Sequence, residues 1–443
     1  MITLPDYVTQ FMKSFQEKGF EIYVVGGAVR NLLLGKDIDN WDFTTNATPE
    51  EILKMFPKAF YHNTYGTVTV TSAEQLFEVT PFRKESAYTD NRHPSTIEWA
   101  KTLEEDLARR DFTINAMALS PDQKIIDPFD GQKHLQEKHI VAVGDPHKRF
   151  QEDALRLMRA IRFASQLGFL IENKTLEAIK NNNHLIANIF WERIRDELLK
   201  IVASEHPAEG ILFLRSTGLL GFILPELDAC FTVQQKSPKR HHIYDVGTHL
   251  VEALRYCPSP DPITRLATLL HDIGKVKTYR KDPKTQIITF YNHEVVGAQQ
   301  AEEIANRLRL SNEDKEKFVT LIAKHQFTVG EDQTDNAVKR FIREVGLANV
   351  EDMLALREGD RLGSGATRTS WRLELFKKRI IEVQHEPFQV KDLKVGGEDV
   401  MEVLDIKPSR KVGEVLQALF DEVEEKKIPN KREVLLEKIK RFK

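Results

Sequence analysis

Apolar residues in the first twenty positions recur at helical spacing. Val8, Phe11, Met12 and Phe15 fall on one face and predict an amphipathic helix leading into a strand. The strand is the short apolar run Tyr23 to Val25, which ends at Gly26-Gly27, and Ala28 to Leu34 then reads as the first turns of a helix. A second helix start is written in Thr48-Pro49-Glu50-Glu51. Thr48 is a plausible N-cap, Pro49 occupies the first helical position and Glu51 sits three residues on. A period of two returns at residues 65–71 (YGTVTVT) and 76–82 (LFEVTPF), which predict strands. Residues 83–107 lose all periodicity; charged and polar residues with one proline predict a mobile connector. From about residue 145 the pattern is helical. One stretch, GDPHKRFQEDALRLMRAIRFASQLGF, packs Leu155, Leu157, Met158, Ile161 and Phe163 and sets Glu152, Asp153, Arg156 and Arg159 on its flank. Residues 187–203 form another, with Leu198, Leu199, Ile201 and Val202 as core, and Ile211 to Leu224 is largely apolar before Pro225.

Composition adds limits. The chain has 443 residues, 41% hydrophobic and 30% charged, enough for several domains and a sizeable core. No apolar run approaches the ~20 residues of a membrane span. The start MITLPDYVTQF lacks the charged and apolar blocks of a secretion signal. Two cysteines, Cys230 and Cys257, in so long a chain point to a reducing compartment, so a cytoplasmic protein is expected. The net charge of −3 argues against bulk electrostatic capture of nucleic acid; any RNA surface must be a local patch.

The richest chemistry lies between Tyr23 and Thr45. Two glycines at a strand-to-helix turn let backbone approach a phosphate, and the helix N-terminus offers free N–H groups to it. Acidic residues follow. On a strand, residues i and i+2 share a face, and two such carboxylates can hold two Mg²⁺ ions about 3.5–4 Å apart for phosphoryl or nucleotidyl transfer. Asp37 and Asp39 have that spacing; so have positions 40 and 42, but position 40 is Asn.

GGAVRNLLLG, then four residues to a D-W-D-like triplet, then F-T-T, resembles the polymerase-β-type nucleotidyltransferase head of the class II CCA-adding enzymes and bacterial poly(A) polymerases. The resemblance implies a first Mg²⁺ carboxylate at position 40, a second at Asp42 and a third at Glu78. The chain departs at the first, because Asn40 is a neutral amide and a poorer ligand for a hard cation. Two readings stand: an introduced substitution that weakens the site, or recruitment of Asp37 or Asp39, which for Asp39 needs a bulge. The resemblance makes Gly26, Gly27 and Arg30 nucleotide contacts. It casts residues 83–107 as the loop that switches from CTP to ATP. It assigns RRDFTINA to the ribose hydroxyl and triphosphate through Arg110, Asp111 and Asn115, beside Arg109. Adjacent guanidinium groups suit a polyphosphate. The E-D-x-x-R-x-x-R run resembles the family's protein template. There Asp153 and Arg156 would read the Watson–Crick edge of the incoming base, with Arg159 beside them. Trp191-Glu192-Arg193-Ile194-Arg195 resembles the motif that buttresses it. Ordinary ion pairs at i,i+3 and i,i+4 would also explain the charges around Arg156.

A second pattern begins near residue 241. His249, the doublet His271-Asp272 in HDIGK, His293, His325 and Asp360 follow in order and resemble the HD metal-dependent phosphohydrolase superfamily. Imidazole beside carboxylate suits a divalent transition metal. His249, His271, Asp272 and Asp360 would form the spine, and His293 and His325 would complete a second position. Taken singly, each histidine is an ordinary core residue. The tail carries Lys426, Lys427, Lys431, Arg432, Lys438, Lys440, Arg441 and Lys443, either a solvated face or a set of tRNA phosphate contacts.

The expected fold class is an α+β polymerase-β-like head over residues 1–145, followed by an all-α remainder: a neck and body that bind RNA and nucleotide (146–235), an HD-like domain (236–365) and a tail (366–443). The resemblance implies template-independent, metal-dependent addition of CMP and AMP from CTP and ATP to the 3′ end of tRNA, with an HD phosphohydrolase activity and no membrane partner. An A-adding enzyme, a poly(A) polymerase, a phosphohydrolase with a nucleotide-binding head and a non-catalytic RNA-binding module are the rivals. The loop at 83–107 favours CCA addition, since an A-only enzyme needs no switch.

Overall fold

The computed structural model describes residues 4–62, 66–85, 97–235, 244–330, 334–383, 390–425 and 427–442. The amphipathic pattern at the start forms α1 (Asp6–Gln16), with Val8, Phe11, Met12 and Phe15 all buried. Strand β1 (Ile22–Val25) leads through the glycine pair into α2 (Gly27–Leu34), and β2 (Asp42–Thr45) follows. The chain continues through α3 (Pro49–Met55), β3 (Phe60–His62), β4 (Thr67–Ser72) and β5 (Gln75–Pro81). The α3 start is a capping box: Thr48 Oγ1 accepts from Glu51 N at 3.3 Å and Glu51 Oε2 accepts from Thr48 N at 2.8 Å.

The connector is partly ordered. β6 (Arg83–Glu85) pairs with β7 (Ile97–Trp99) as an antiparallel ribbon, and α4 (Leu103–Ala108) follows. Residues 86–96, the middle of the expected loop, lie outside the described residues. With β8 (Ala118–Leu119) and β9 (Ile125–Ile126), the main sheet has seven strands in the order β3-β4-β5-β2-β1-β8-β9. Every pairing in it is antiparallel except β2 with β5. That parallel register sets Asp42 directly beside Glu78. The fold is therefore the α+β head with a helical remainder that the sequence predicts.

The head core joins α1 to the sheet. The Phe11 ring lies 5.0 Å from Phe43, 4.4 Å from Phe77 and 5.5 Å from Phe56, centroid to centroid. A smaller cluster of Val25, Phe82, Leu103, Leu107 and Ala118 seats α4 under the other end.

The stretch expected as one helix is two, Pro146–Glu152 and Arg156–Leu167. Asp153 is the reason. Its backbone is extended at φ −139°, and its Oδ1 accepts from Leu155 N at 3.1 Å, a local bond that replaces a helical one. The break turns Asp153 away from the line of Glu152 and Arg156. Beyond it, one continuous hydrophobic cluster runs from Phe112 to Leu356, so neck, body and histidine-rich helices share a core. The boundary drawn at 235/236 marks a change of chemistry within that core. The tail from Leu393 to Ile439 keeps a core of its own.

Phe11→Ala removes the ring at the centre of the head core. We expect a loss of about 3–5 kcal/mol, read as a lowered urea midpoint for the head with the histidine cluster still folded.

Candidate functional site

The first site forms where the head meets the helix Arg156–Leu167. Gly26 adopts φ +69°, so this turn needs glycine, and a Cβ there would lie 3.1 Å from the mobile end of Arg110. The turn, Arg30, Asp42, Arg83, Arg109, Arg110, Asp111 and Asn115 line a cavity of about 420 Å³ with Asp153, Arg156, Arg159, Phe163 and Arg193 from the other side. Seven arginines face three aspartates there, which makes it the local basic patch that a chain of net charge −3 requires.

Asp42 is half-buried and Glu78 is exposed beside it. Burial first, and then the Glu78 charge, push the Asp42 carboxyl above its usual value, against the pull of Arg110. Two neighbouring carboxylates that disfavour joint ionisation are a fit for a hard cation. Asn40 lies exposed, two residues before β2, and Asp37 and Asp39 are also exposed and outside any strand. The i,i+2 strand argument for Asp37 and Asp39 therefore does not hold; residues 36–41 form a loop that sequence periodicity could not separate from a strand.

The basic wall is braced by buried acids. Asp106, fully buried, takes Arg109 Nη2 at 2.8 Å and Arg110 Nη2 at 3.4 Å. Burial would raise its carboxyl, but both guanidiniums outweigh that and hold it low. Sequence reasoning missed Asp106 because LEEDL looks like a solvated acidic face; only its i+3 and i+4 relation to the arginines was a signal. Arg30 donates to Asn115 Oδ1 at 2.9 Å, and its pKa falls to about 10 through burial and the neighbouring Arg162 and Arg159. Such crowding of positive charge favours a polyanion. Asp111 takes Arg159 Nε at 2.8 Å across the head–neck boundary.

The template residues are close but differently engaged. Arg156 is buried and donates to Glu152 Oε2 at 2.7 Å and to the Arg109 carbonyl at 2.9 Å. Asp153 faces Arg193, with Nη2 to Oδ2 at 3.1 Å. The i,i+4 ion pair thus exists, and the Asp stands free of it.

A second site draws all six predicted residues together from five segments. His249 Nε2 lies 3.5 Å from Asp272 Oδ2 and 3.3 Å from Asp360 Oδ1. His271 Nε2 lies 3.4 Å from Asp272 Oδ2, and on the other oxygen His293 and His325 approach at 3.0 and 3.5 Å. Two triads share Asp272: with His249 and His271, and with His293 and His325. The Nδ1 atoms of His271, His293 and His325 each meet a backbone carbonyl at 2.8, 2.8 and 2.7 Å. Those bonds put the proton on Nδ1 and turn the Nε2 lone pairs inward, the arrangement of metal-bound imidazole. Burial works against a charged His271, yet Asp272 and Asp360 push its pKa up to about 10, so without a cation the ring keeps on Nε2 the proton that a bound metal would displace; both carboxyls sit well below their usual range. The donor set fits a divalent transition metal. The adjoining cavity, about 500 Å³, adds Lys275, Tyr291 and Arg357. Lys275, unremarked in the sequence, is buried between Asp272 Oδ2 at 2.5 Å and Gln235 Oε1 at 2.7 Å. His241 and His242, part of the motif's start, lie outside the described residues.

The basic tail is largely neutralised by its own acids: Lys438 pairs with Glu422 at 2.7 Å, Lys440 with Glu437 at 2.7 Å, Lys427 with Glu425 at 2.5 Å, and Arg432 with Asp399. Lys426 and Lys443 lie outside the described residues.

Three family models match: the poly A polymerase head domain over residues 22–141, the probable RNA and SrmB-binding site of polymerase A over 168–231, and a putative domain 2 of tRNA nucleotidyltransferase over 281–439. The chain is 32% identical to the CCA-adding enzyme of Ligilactobacillus salivarius over 435 residues, 97% of this chain and 95% of that one. It is 45% identical to that of Lactobacillus helveticus over 220 residues, 49% of this chain and 55% of that one. The fold superposes on the CCA-adding enzyme of Bacillus stearothermophilus in complex with CTP with a TM-score of 0.74 and 27% identity, covering 99% of this chain and 98% of that one.

Arg159 holds Asp111, against the upward push of burial, at a pKa of about 2 rather than 3.8. A lowered folded pKa adds stability that is present above about pH 4 and lost as pH falls toward about 2, about 2 kcal/mol in all. The stability lead of the parent over Asp111→Asn should shrink across that window in urea unfolding.

Proposed function

Because the chain belongs to the family of the CCA-adding enzymes, we propose that it extends the 3′ end of tRNA with CMP and AMP, using CTP and ATP. The observation that carries this reading is the cavity in which Asp42, paired in register with Glu78 on the next strand, sits with an arginine wall, Asp153 and Arg156. Arg110 and Arg30 are placed for the triphosphate, and the glycine turn admits it closely. Asp111 and Asn115 face the sugar. Asp153 accepts from the exocyclic amine of the base and Arg156 donates to its ring acceptors, so the chain replaces a template strand. Asp42 and Glu78 would hold Mg²⁺, which would supply charge neutralisation and activation of the tRNA hydroxyl. The Asn40 amide weakens that hold, since it brings no charge.

The decisive comparison is the chain as given against Asn40→Asp, on tRNA lacking CCA, with Mg²⁺ and labelled CTP and ATP. The Asp form should add nucleotides at least ~100-fold faster, equivalent to ~2.7 kcal/mol in the transition state. Equal rates would place the metal ligands elsewhere. Incorporation of ATP alone onto tRNA ending in CC, without use of CTP, would make the protein an A-adding enzyme. No addition by either form would move the phosphohydrolase reading to first place.

A second reading concerns the histidine cluster alone: a phosphohydrolase centre of HD type. His249, His271, Asp272, His293, His325 and Asp360 would hold a divalent transition metal there, which supplies Lewis acidity toward a phosphoryl oxygen. Elemental analysis should find transition metal in the parent and not in a His271→Ala, Asp272→Ala double variant, and chelation should abolish phosphatase activity. Full phosphatase activity in the double variant would sink it. The two cysteines are free and buried, and among the described residues no helix is long and apolar enough to cross a membrane. Both suit the cytoplasm that tRNA processing implies.

A further inference from the structure

We infer that Arg307 and Arg195, at the seam between the histidine-bearing helices and the neck, are positioning residues for base selection. The inference rests on the reading of Asp153 as a base-contacting residue. Asp153 lies in the break between two helices, where its Oδ1 accepts from Leu155 N at 3.1 Å, a single local bond that leaves the carboxylate free to pivot. The fixing partner is Arg193, whose Nη1 and Nη2 reach the two carboxylate oxygens at 3.4 and 3.1 Å. Arg193 itself stands in the first turn of the helix Trp191–Val202, and Phe190 at the cap position makes no side-chain capping bond. An uncapped first turn frays unless something outside the helix holds it.

What holds it comes from 80 residues or more further along the chain. The helix His293–Arg307 begins at the metal-cluster histidine and runs about 22 Å. At its far end the Arg307 guanidinium lies 5.7 Å from the centroid of the Trp191 ring. The same guanidinium is clamped by Glu226, Nη1 to Oε1 at 2.8 Å and Nη2 to Oε2 at 2.7 Å. Two residues on, the Arg309 carbonyl accepts from Arg195 Nη1 at 2.6 Å. Trp191 and Arg195 bracket Arg193 on one helix. The seam therefore fixes the turn that presents Arg193, and Arg193 in turn orients the Asp153 acceptor. A carboxylate held in one orientation favours the amine of cytosine or adenine over the carbonyl of uracil or guanine; a loosened one discriminates less.

The test is equilibrium binding of CTP and UTP to the full chain, which needs no turnover, with melting temperature and metal content recorded alongside. Arg307→Ala and Arg195→Ala should each lower CTP/UTP discrimination about tenfold, through weaker CTP binding, with metal content unchanged. Arg195→Lys, which still donates to the Arg309 carbonyl, should restore most of it. Arg195→Ala removes the bond to the Arg309 carbonyl and a local pair with Asp196, both near the surface, so it carries the test if Arg307→Ala fails to fold. Asp153→Ala is the control that separates the two claims. Lost discrimination in Asp153→Ala with parental discrimination in Arg307→Ala and Arg195→Ala overturns the seam and leaves the base contact standing. Parental discrimination in Asp153→Ala overturns the base contact and the seam with it.

Discussion

The structure turns on one ion pair, buried Asp111 with half-buried Arg159. Asp111 belongs to the head and Arg159 to the helix beyond it, and the bond between them crosses the wall of the nucleotide cavity. Apolar contact between the head and the neck fixes distance and leaves orientation loose; this bond, together with that of Arg156 Nη2 to the Arg109 carbonyl at 2.9 Å, adds direction. A charge-assisted pair of a guanidinium and a carboxylate, its acid side buried, fixes both. Glycine turn, carboxylates and arginine wall lie on one side of that bond; Asp153 and Arg156 lie on the other.

The same economy governs the rest of the cavity. A wall of seven arginines repels itself, and the chain meets that cost with acids placed behind it, away from the opening. Asp106 braces Arg109 and Arg110, and Glu152 braces Arg156. The braces hold each guanidinium by part of its fork and leave positive potential toward the cavity. A chain with slight net negative charge thereby presents a concentrated basic surface at one place. The tail follows the opposite rule, its lysines facing its own glutamates.

The histidine cluster shows how far one core can extend. Its residues come from five segments, and the helices that carry them pack in the same hydrophobic cluster as the helix Arg156–Leu167. The two sites differ in kind. The head cavity is open, oxygen-lined and basic, suited to a hard cation that arrives with a polyphosphate. The cluster is buried and rich in imidazole, suited to a softer cation held by protein alone.

Much of this was legible in the residues. Local rules sufficed where the cause was local: the face of Phe11 and Phe15, the capping box at Thr48, the glycine turn at Gly26, the alternating strands β4 and β5. Motif order sufficed for His249, His271, Asp272, His293, His325 and Asp360, since several weak coincidences in sequence add to a strong one. Four things needed the folded chain. The loop at 36–41 and the helix break at Asp153 were hidden because a side-chain hydrogen bond or a missing strand partner overrides periodicity without changing composition. The burial of Asp106 was hidden because an acid in a charged run looks the same whether water or two guanidiniums receive it. The seam of Trp191, Arg195, Glu226 and Arg307 was hidden because its members lie far apart in the chain. The sequence determined which groups exist and which segments carry them. Only tertiary structure decided which charges meet, because Coulomb and hydrogen-bond energies depend on distances between segments that no local pattern encodes.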